Sequence, residues 1–276
     1  MSAHRRTETA EFLTMAHRGA SRVAPANTWP AFEMAIKMGA NVIETDVHWT
    51  KDDQLVICHD PMVDGVTEGT GYIRDLTYAQ LCALDFGYRF TRDGGETFPF
   101  RGKGVRIVRF AELLERLPDV RVNVDLKPAR PRVAAFLQIL DEHKAFERVM
   151  LASFSHQTLV EARARNARIA TSASTREVLG FLLRGPELRR AMGYKAKVPY
   201  LALQVPRTVW GRPLVNRNFV RRAHAIGVQV HVWTVNDARQ MIDLMEAGVD
   251  GIVTDCPDIC RSSRAKFLAG LARCSK

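Results

Sequence analysis

The chain has 276 residues, 46% of them hydrophobic and 25% charged, and its 40 basic and 30 acidic side chains give a net charge of +10. This apolar content is enough for a sizeable core and excludes a mainly disordered chain. No stretch approaches about 18 consecutive apolar residues, and the N-terminal sequence carries charges without a long apolar run, so we expect neither a transmembrane helix nor a secretory signal. Five scattered cysteines without a CxxC pair indicate neither a zinc site nor a disulfide framework, and a cytoplasmic location is expected.

Eight short runs of mainly aliphatic residues alternate with segments of helical spacing. The predicted strands are Leu13–Ala16, Val42–Val47, Arg121–Leu126, Arg148–Ala152, Arg168–Thr171, Tyr200–Val205, Val228–Thr234 and Gly251–Thr254. Helices are predicted around Phe32–Met38, Val133–Leu140, Leu159–Arg165 and Ala238–Glu246, where apolar residues recur at i, i+3 and i+4. Such alternation predicts an α/β fold with a parallel sheet, and eight strands in this length favour a TIM (β/α)8 barrel. An open doubly wound sheet is the alternative, although this chain lacks the glycine-rich loop that usually follows its first strand.

The connection from His48 to Arg109 is unusually long for such a fold. It contains three turn-forming sequences, a strand-like run at Gln54–Cys58 and a short helix near Tyr78–Leu84. Long structured connections on barrels are commonly functional. We therefore predict one barrel domain over residues 1–276, with an inserted subdomain at 48–109 after the second strand that covers the site.

Polar side chains stand where the predicted strands end, which is where the active sites of such barrels lie. Glu44 and Asp46 are two residues apart, as are Asp125 and Lys127, so each pair points to one face of its strand. Further polar residues follow the other strands or begin the long connection: His17, Arg18, His59, Asp60, Ser153, Gln204, Trp233 and Asp255.

Three converging carboxylates cannot all stay ionised in a barrel mouth without a counter-charge. Either one carboxyl has a raised pKa or a divalent cation is bound, and oxygen ligands favour Mg²⁺ or Ca²⁺. Arg18 and Lys127 beside such a cation indicate a phosphate site. Two histidines of the set would then move protons near neutral pH. A single Asp or His at a strand end is more often structural, so the interpretation depends on the combination.

The basic excess is spread along the chain, and no pattern of a common nucleic-acid-binding module occurs. We expect no nucleic acid partner, because a basic surface equally suits phosphorylated substrates or anionic lipid. Two apolar and basic segments, Val178–Leu183 with the basic residues up to Lys197, and Arg261–Lys276, raise the possibility of peripheral membrane contact. We interpret both as ordinary barrel helices with solvated basic faces.

The sequence also resembles glycerophosphodiester phosphodiesterases over about residues 13 to 260, nearly the whole chain. The motifs that carry the resemblance are His17–Gly19, Pro25–Thr28, Glu44–Asp46, Thr50–Asp52, His59–Asp60, Asp125–Lys127, Ser153–Phe154, Trp233–Asn236 and Gly248–Asp255. Three positions depart from the family pattern. Asp125 and Ala26 stand where glutamates are usual, and Gly65-Val66 replaces an arginine-threonine pair.

The resemblance implies a TIM barrel with an insertion after its second strand, and cleavage of a phosphodiester with a divalent cation, Mg²⁺ or Ca²⁺. It implies Glu44, Asp46 and Asp125 as metal ligands, His17 and His59 as catalytic residues, Arg18 and Lys127 as phosphate contacts, and Trp233 beside the glycerol or lipid portion. The expected partner is a small-molecule glycerophosphodiester or a lysophospholipid. A lysophospholipase D at a membrane surface, or an inactive barrel used for binding, remains an alternative.

Overall fold

The computed structural model describes residues 11–127, 131–191 and 198–274. Its strands are β1 (Leu13–His17), β2 (Val42–Trp49), β3 (Leu55–Ile57), β4 (Val108–Arg109), β5 (Arg121–Leu126), β6 (Val149–Ala152), β7 (Ala170–Thr171), β8 (Ala202–Pro206), β9 (Thr208–Val209), β10 (Arg212–Pro213), β11 (Gln229–Trp233) and β12 (Gly251–Thr254). Its α-helices are α1 (Trp29–Lys37), α2 (Tyr78–Cys82), α3 (Phe110–Arg116), α4 (Val133–Glu142), α5 (His156–Arg165), α6 (Thr175–Ala191), α7 (Arg217–His224), α8 (Ala238–Ala247) and α9 (Pro257–Cys274). None of the helices described is long and apolar enough to cross a membrane.

Eight parallel strands form a nearly closed barrel in the order β7-β6-β5-β2-β1-β12-β11-β8. A parallel bridge between Ser172 and Ala202 joins the two ends of this path. Helices follow the strands, as crossover connections between parallel strands require. The predicted TIM barrel is confirmed, with all eight predicted strand positions occupied by barrel strands, and the open doubly wound alternative is wrong.

Strand β5 shows how the sequence pattern builds the barrel. Val122, Val124 and Leu126 pack into the main hydrophobic core with the surrounding helices. Successive residues of a strand point to opposite faces, so Asn123 and Asp125 face the barrel interior. Asp125 lies opposite Asp46 in the register of β2 and β5, which brings the acidic residues of two strands to one level.

Strand β2 is longer than the sequence indicates. We expected it to end at Val47, but it continues to Trp49 because its last three residues pair antiparallel with β3. Glu44 and Asp46 therefore lie within the strand and not at its end.

The connection between β2 and α3 folds around a small core of its own. That core consists of Val56, Cys58, Val63, Ile73, Leu81, Phe86, Val105 and Ile107. The expected strand and helix are present as β3 and α2, and a 3-10 turn at Ile73–Asp75 lies between them. Because β3 pairs with both β2 and β4, the segment is joined to the barrel through the sheet.

A polar layer fills the barrel interior one step below Asp125. Gln204, expected at a strand end, lies within β8 and donates a hydrogen bond to Asn123 of β5 at 3.0 Å. It also approaches Nδ1 of His231 on β11 at 3.4 Å, and Gln229 contacts the other ring nitrogen at 3.1 Å. His231 is fully buried, and burial lowers the pKa of its ring to about 4, so the imidazole is neutral inside the barrel at neutral pH.

Candidate active site

One cavity of about 680 Å³ opens at the carboxyl ends of the barrel strands. All eight residues that the sequence indicated for catalysis, substrate and metal line this cavity: His17, Arg18, Glu44, Asp46, His59, Asp125, Lys127 and Trp233. The structure therefore brings the whole predicted set together, and the individual roles remain predictions.

The turn after β1 places Arg18 over the neighbouring strand. Arg18 and Gly19 both have positive φ, 58° and 85°, and the Arg18 backbone N–H donates to the carbonyl and the carboxylate of Glu44 at 2.9 and 3.2 Å. A Cβ on Gly19 would lie 2.7 Å from the backbone carbonyl carbon of Ala31 in α1. A glycine is thus required here for α1 to pack against the turn.

His17 is oriented by a carboxylate from the far end of the chain. Its Nδ1 lies 2.6 Å from Asp255 just after β12, and Asp255 also accepts hydrogen bonds from Ser21 at 2.8 Å and Asn236 at 2.6 Å. Partial burial alone would raise the pKa of Asp255, but the hydrogen bonds from His17, Asn236 and Ser21 outweigh it and lower that pKa to about 2. A carboxylate at Nδ1 fixes the ring tautomer and leaves Nε2 to exchange protons.

His59, at the beginning of the inserted segment, has the same arrangement. Its Nδ1 lies 2.7 Å from the carboxylate of Asp60, and its carbonyl oxygen accepts a hydrogen bond from Nε2 of His48 at 3.0 Å. The side chains of His59 and Asp60 are 41% and 56% exposed, compared with 21% and 27% for His17 and Asp255. The two histidines are therefore similar in chemistry but unequal in their contact with water.

Lys127 joins two of the three carboxylates. Its Nζ lies 2.7 Å from both Asp46 and Asp125, and Arg18 Nε lies 3.3 Å from Asp46. Burial tends to raise the pKa of Asp46, but the attraction of Lys127 and Arg18 lowers it overall. For Asp125 burial prevails, and its pKa is raised despite Lys127. The pKa of Lys127 is itself raised by the two carboxylates against the effect of burial.

Glu44 is the carboxyl of the site whose ionised form is most strongly disfavoured. Burial and the nearby carboxylate of Asp46 raise the pKa of Glu44 well above its usual value. In addition, Oδ1 of Asp125 is buried and has no hydrogen-bond partner among the described residues. Three carboxylates facing two basic side chains thus leave room for a further positive charge, and oxygen ligands suit a hard cation.

The acidic side chains of the cavity do not form a preorganised metal-coordination site. Within the described ranges, no three His, Cys, Asp or Glu side chains stand in positions that would hold a metal ion. Lys127 lies between Asp46 and Asp125 at hydrogen-bond distance from both. The oxygen donors fit Mg²⁺ or Ca²⁺ in their chemistry, although Nζ of Lys127 now lies between two of them.

Some supporting residues received no role from the sequence. Asn27, with φ of 62°, accepts a hydrogen bond from Thr45 at 2.8 Å and donates to the Asp46 carboxylate at 3.4 Å. Asp255 and Asn236 support His17 in a similar way. All of them belong to motifs that carry the resemblance, so their place in those motifs was the available indication.

The two halves of the cavity differ in chemistry. The charged residues and the two histidines come from the ends of β1 and β5, from β2 and from the start of the insertion. The opposite side is formed after β6, on α6, after β8 and at the end of β11, and it is mainly apolar: Phe154, Val178, Leu179, Leu182, Val209, Trp210, Leu214 and Trp233. A charged group and an apolar group of one ligand could therefore occupy the cavity together.

The sequence pattern of the glycerophosphoryl diester phosphodiesterase family matches residues 17–259 of this chain. The chain belongs to this family. It is 34% identical to a probable glycerophosphodiester phosphodiesterase 2 of Mycobacterium tuberculosis over 266 residues, which cover 92% of this chain and 93% of the relative. It is 33% identical to a glycerophosphodiester phosphodiesterase of Caldanaerobacter subterraneus, over 89% of this chain and 95% of the relative.

The fold of this phosphodiesterase family member recurs in solved structures. A phosphodiesterase of Oleispira antarctica, solved in complex with the product sn-glycerol-3-phosphate, has a TM-score of 0.72 and 24% identity, covering 92% of this chain and 96% of that chain. The resemblance inferred from the sequence motifs is thus confirmed at the level of family and fold.

Proposed function

We propose that this protein hydrolyses glycerophosphodiesters to glycerol 3-phosphate and an alcohol, with a divalent cation and two histidines as acid and base. The proposal rests on one observation: a single cavity brings two carboxylate-paired histidines beside three carboxylates and two basic side chains. Family membership and the product named for the Oleispira antarctica enzyme support the choice of substrate.

Glu44, Asp46 and Asp125 would hold the cation, and Arg18 and Lys127 would bind the phosphodiester. When bound, the cation supplies positive charge that stabilises the charge developing on the phosphoryl oxygens. Lys127, released from its two carboxylates, would turn its ammonium group towards the substrate phosphate.

His17 and His59 would perform the proton transfers. Each has a carboxylate at Nδ1, so Nε2 exchanges the proton in both. One histidine takes the proton of the attacking group. If that group is a water, glycerol 3-phosphate forms directly; if it is a hydroxyl of the glycerol portion, a cyclic phosphate forms first, and a water then opens it to glycerol 3-phosphate. The other donates a proton to the leaving alcohol oxygen as the P–O bond breaks.

Choline release from glycerophosphocholine tests the proposal in the presence of Mg²⁺, Ca²⁺ or EDTA. We expect turnover that EDTA abolishes and that excess cation restores. His17→Ala and His59→Ala should each lower kcat about 10²- to 10⁴-fold. His143→Ala is the control, since His143 follows α4 and does not line the cavity. Turnover that resists EDTA, or near-normal kcat in both histidine variants, would contradict the proposal.

A lysophospholipase D activity is the second candidate, favoured by the apolar half of the cavity. The acyl chain of a lysophospholipid would lie along α6, where Leu179 and Leu182 face the cavity. We expect Leu182→Asn to lower kcat/KM for lysophosphatidylcholine more than kcat/KM for glycerophosphocholine. An unchanged ratio of the two would count against this substrate class.

A further inference from the structure

A small hairpin projects from the cavity mouth after β8. Its strands β9 and β10 pair Val209 with Arg212 and Thr208 with Pro213, which leaves Trp210 and Gly211 as a two-residue turn. The side chain of Trp210 is 98% exposed. The largest type of side chain thus stands at the tip of the hairpin with almost no contact to the rest of the chain.

The backbone at this tip is an unfavourable place for tryptophan. Trp210 and Gly211 have φ of 48° and 74°, and tight hairpin turns with two positive φ angles favour Asn-Gly because side chains larger than Asn rarely adopt this conformation. Neither backbone geometry nor internal packing accounts for Trp210. Because neither the turn nor the packing requires a tryptophan at this position, its unfavourable conformation indicates a contact with another molecule.

The tip belongs to an apolar surface that is continuous with the cavity. Val209, Trp210 and Leu214 line the cavity that contains His17. Of the ten exposed large hydrophobic side chains in the described part of the chain, five line it: Phe154, Leu179, Val209, Trp210 and Trp233. Exposed apolar side chains gathered at one place indicate an interaction surface, whereas scattered ones do not.

The sequence that forms the hairpin and the helix after it is basic. From Arg207 to Arg222 the chain contains five arginines and no Asp or Glu. Arg207 and Arg212 flank the tip, and Arg217 begins α7 at the same end of the barrel. An exposed tryptophan with arginines beside it suits the boundary between lipid headgroups and acyl chains, where the ring is partly buried and the arginines meet phosphates.

We propose that the hairpin of residues 207–214 docks this protein on the surface of an anionic phospholipid bilayer. Trp210 enters the headgroup region, and Arg207 and Arg212 contact lipid phosphates on either side of it. Docking in this way turns the apolar half of the cavity towards the membrane. The docking goes beyond the proposed hydrolysis and does not depend on it, so the two are tested separately.

The experiment measures co-sedimentation of the full chain with large vesicles of phosphatidylcholine, with and without phosphatidylglycerol, at low and high salt. We expect binding to the anionic vesicles at low salt and release at high salt. Trp210→Ser should lower the partition coefficient about tenfold, and Arg212→Glu about fivefold or more.

Brominated phosphatidylglycerol should quench the tryptophan fluorescence of the wild type, and Trp210→Phe should remove most of that quenching.

Leu268→Ser provides a matched control. Leu268 is 51% exposed but lies eleven residues after the start of α9, about 16 Å along the helix axis from the barrel mouth. It belongs to the other apolar and basic segment of the sequence. Its substitution should leave vesicle binding unchanged. Thermal unfolding of each variant verifies that the fold is intact.

The docking proposal would be overturned if the wild type did not bind anionic vesicles at low salt. It would also be overturned if Trp210→Ser bound them as strongly as the wild type, or if Leu268→Ser lost as much vesicle binding as Trp210→Ser. A dimer in sedimentation velocity that depends on Trp210 would also overturn it, because the tip would then bind a second copy. Hydrolysis of glycerophosphocholine without vesicles is measured in the wild type alongside. Hydrolysis without vesicle binding contradicts docking alone, and vesicle binding without hydrolysis contradicts the proposed function alone.

Discussion

At the scale of single residues, the two histidines depend on the carboxylates at their Nδ1 atoms. We expect Asp255→Asn to lower kcat by about 10²-fold or more, because an amide no longer fixes the tautomer of His17. Asp60→Asn should have a smaller effect, because Asp60 is 56% exposed and water can replace its hydrogen bond.

The pH profile separates positioning from a loss of folding. The pKa of Asp255 is lowered to about 2, so its carboxylate is ionised throughout the neutral range and contributes no limb to the wild-type profile. If Asp255 acts through His17, Asp255→Asn shifts a limb of the kcat profile as well as lowering its height. A variant with lower kcat and an unshifted profile would contradict this role.

At the scale of secondary structure, the contact between the β1 turn and α1 depends on Gly19. Gly19→Ala places a Cβ 2.7 Å from the backbone of Ala31 at a φ of 85°. We expect the free energy of unfolding to fall by about 2 kcal/mol or more, and kcat to fall because Arg18 is displaced. Chemical denaturation and turnover measure the two effects.

Gly180→Ala is the control for this substitution. Gly180 lies within α6, and a Cβ there meets nothing within 4 Å. Alanine in a helix interior is more favourable than glycine, so this variant should be about 0.5–1 kcal/mol more stable than the wild type. Equal destabilisation of both variants would contradict the steric argument for Gly19.

The polar layer between β5, β8 and β11 makes stability depend on pH. The pKa of His231 is lowered to about 4 by burial, whereas the unfolded chain binds a proton at this residue below about pH 6.5. The stability associated with the neutral ring is therefore fully present above about pH 6.5 and is lost as the pH falls towards 4, by up to about 3 kcal/mol. His231→Gln should flatten this part of the curve of unfolding free energy against pH, and parallel curves would show that other groups cause the loss.

At the scale of the whole molecule, the net charge of +10 should attract anionic substrates. We expect kcat/KM for glycerophosphoglycerol, which carries a net negative charge, to fall about threefold or more between low and high salt. Glycerophosphocholine has no net charge and serves as the control. An equal salt dependence for both would show that the overall charge does not contribute to substrate capture.

The barrel was predictable because its strands and helices have clear periods in the sequence. The polar residues of β1, β2 and β5 could be grouped since parallel strands end at the same edge.

By contrast, the pairing of His17 with Asp255 joins residues 238 positions apart, and only barrel closure brings them together. We predicted Gln204 at the end of a strand, but it lies within β8. In a sequence, a polar residue that faces the barrel interior looks the same as one at the barrel rim. The hairpin of β9 and β10 has strands of two residues, too short for a periodic pattern.

The inserted segment contributes His59 and its partner Asp60, whereas Glu44, Asp46, Asp125 and the two basic side chains of the site come from the barrel. The two parts are joined directly before that histidine, where the Cys58 backbone N–H donates to the carbonyl of Asp46 at 3.0 Å. Substitutions within the segment would therefore change kcat more than the affinity for the phosphodiester. A descendant that lost this histidine would keep its anion-binding barrel, and could become a sensor or carrier of phosphodiesters without inventing a new site.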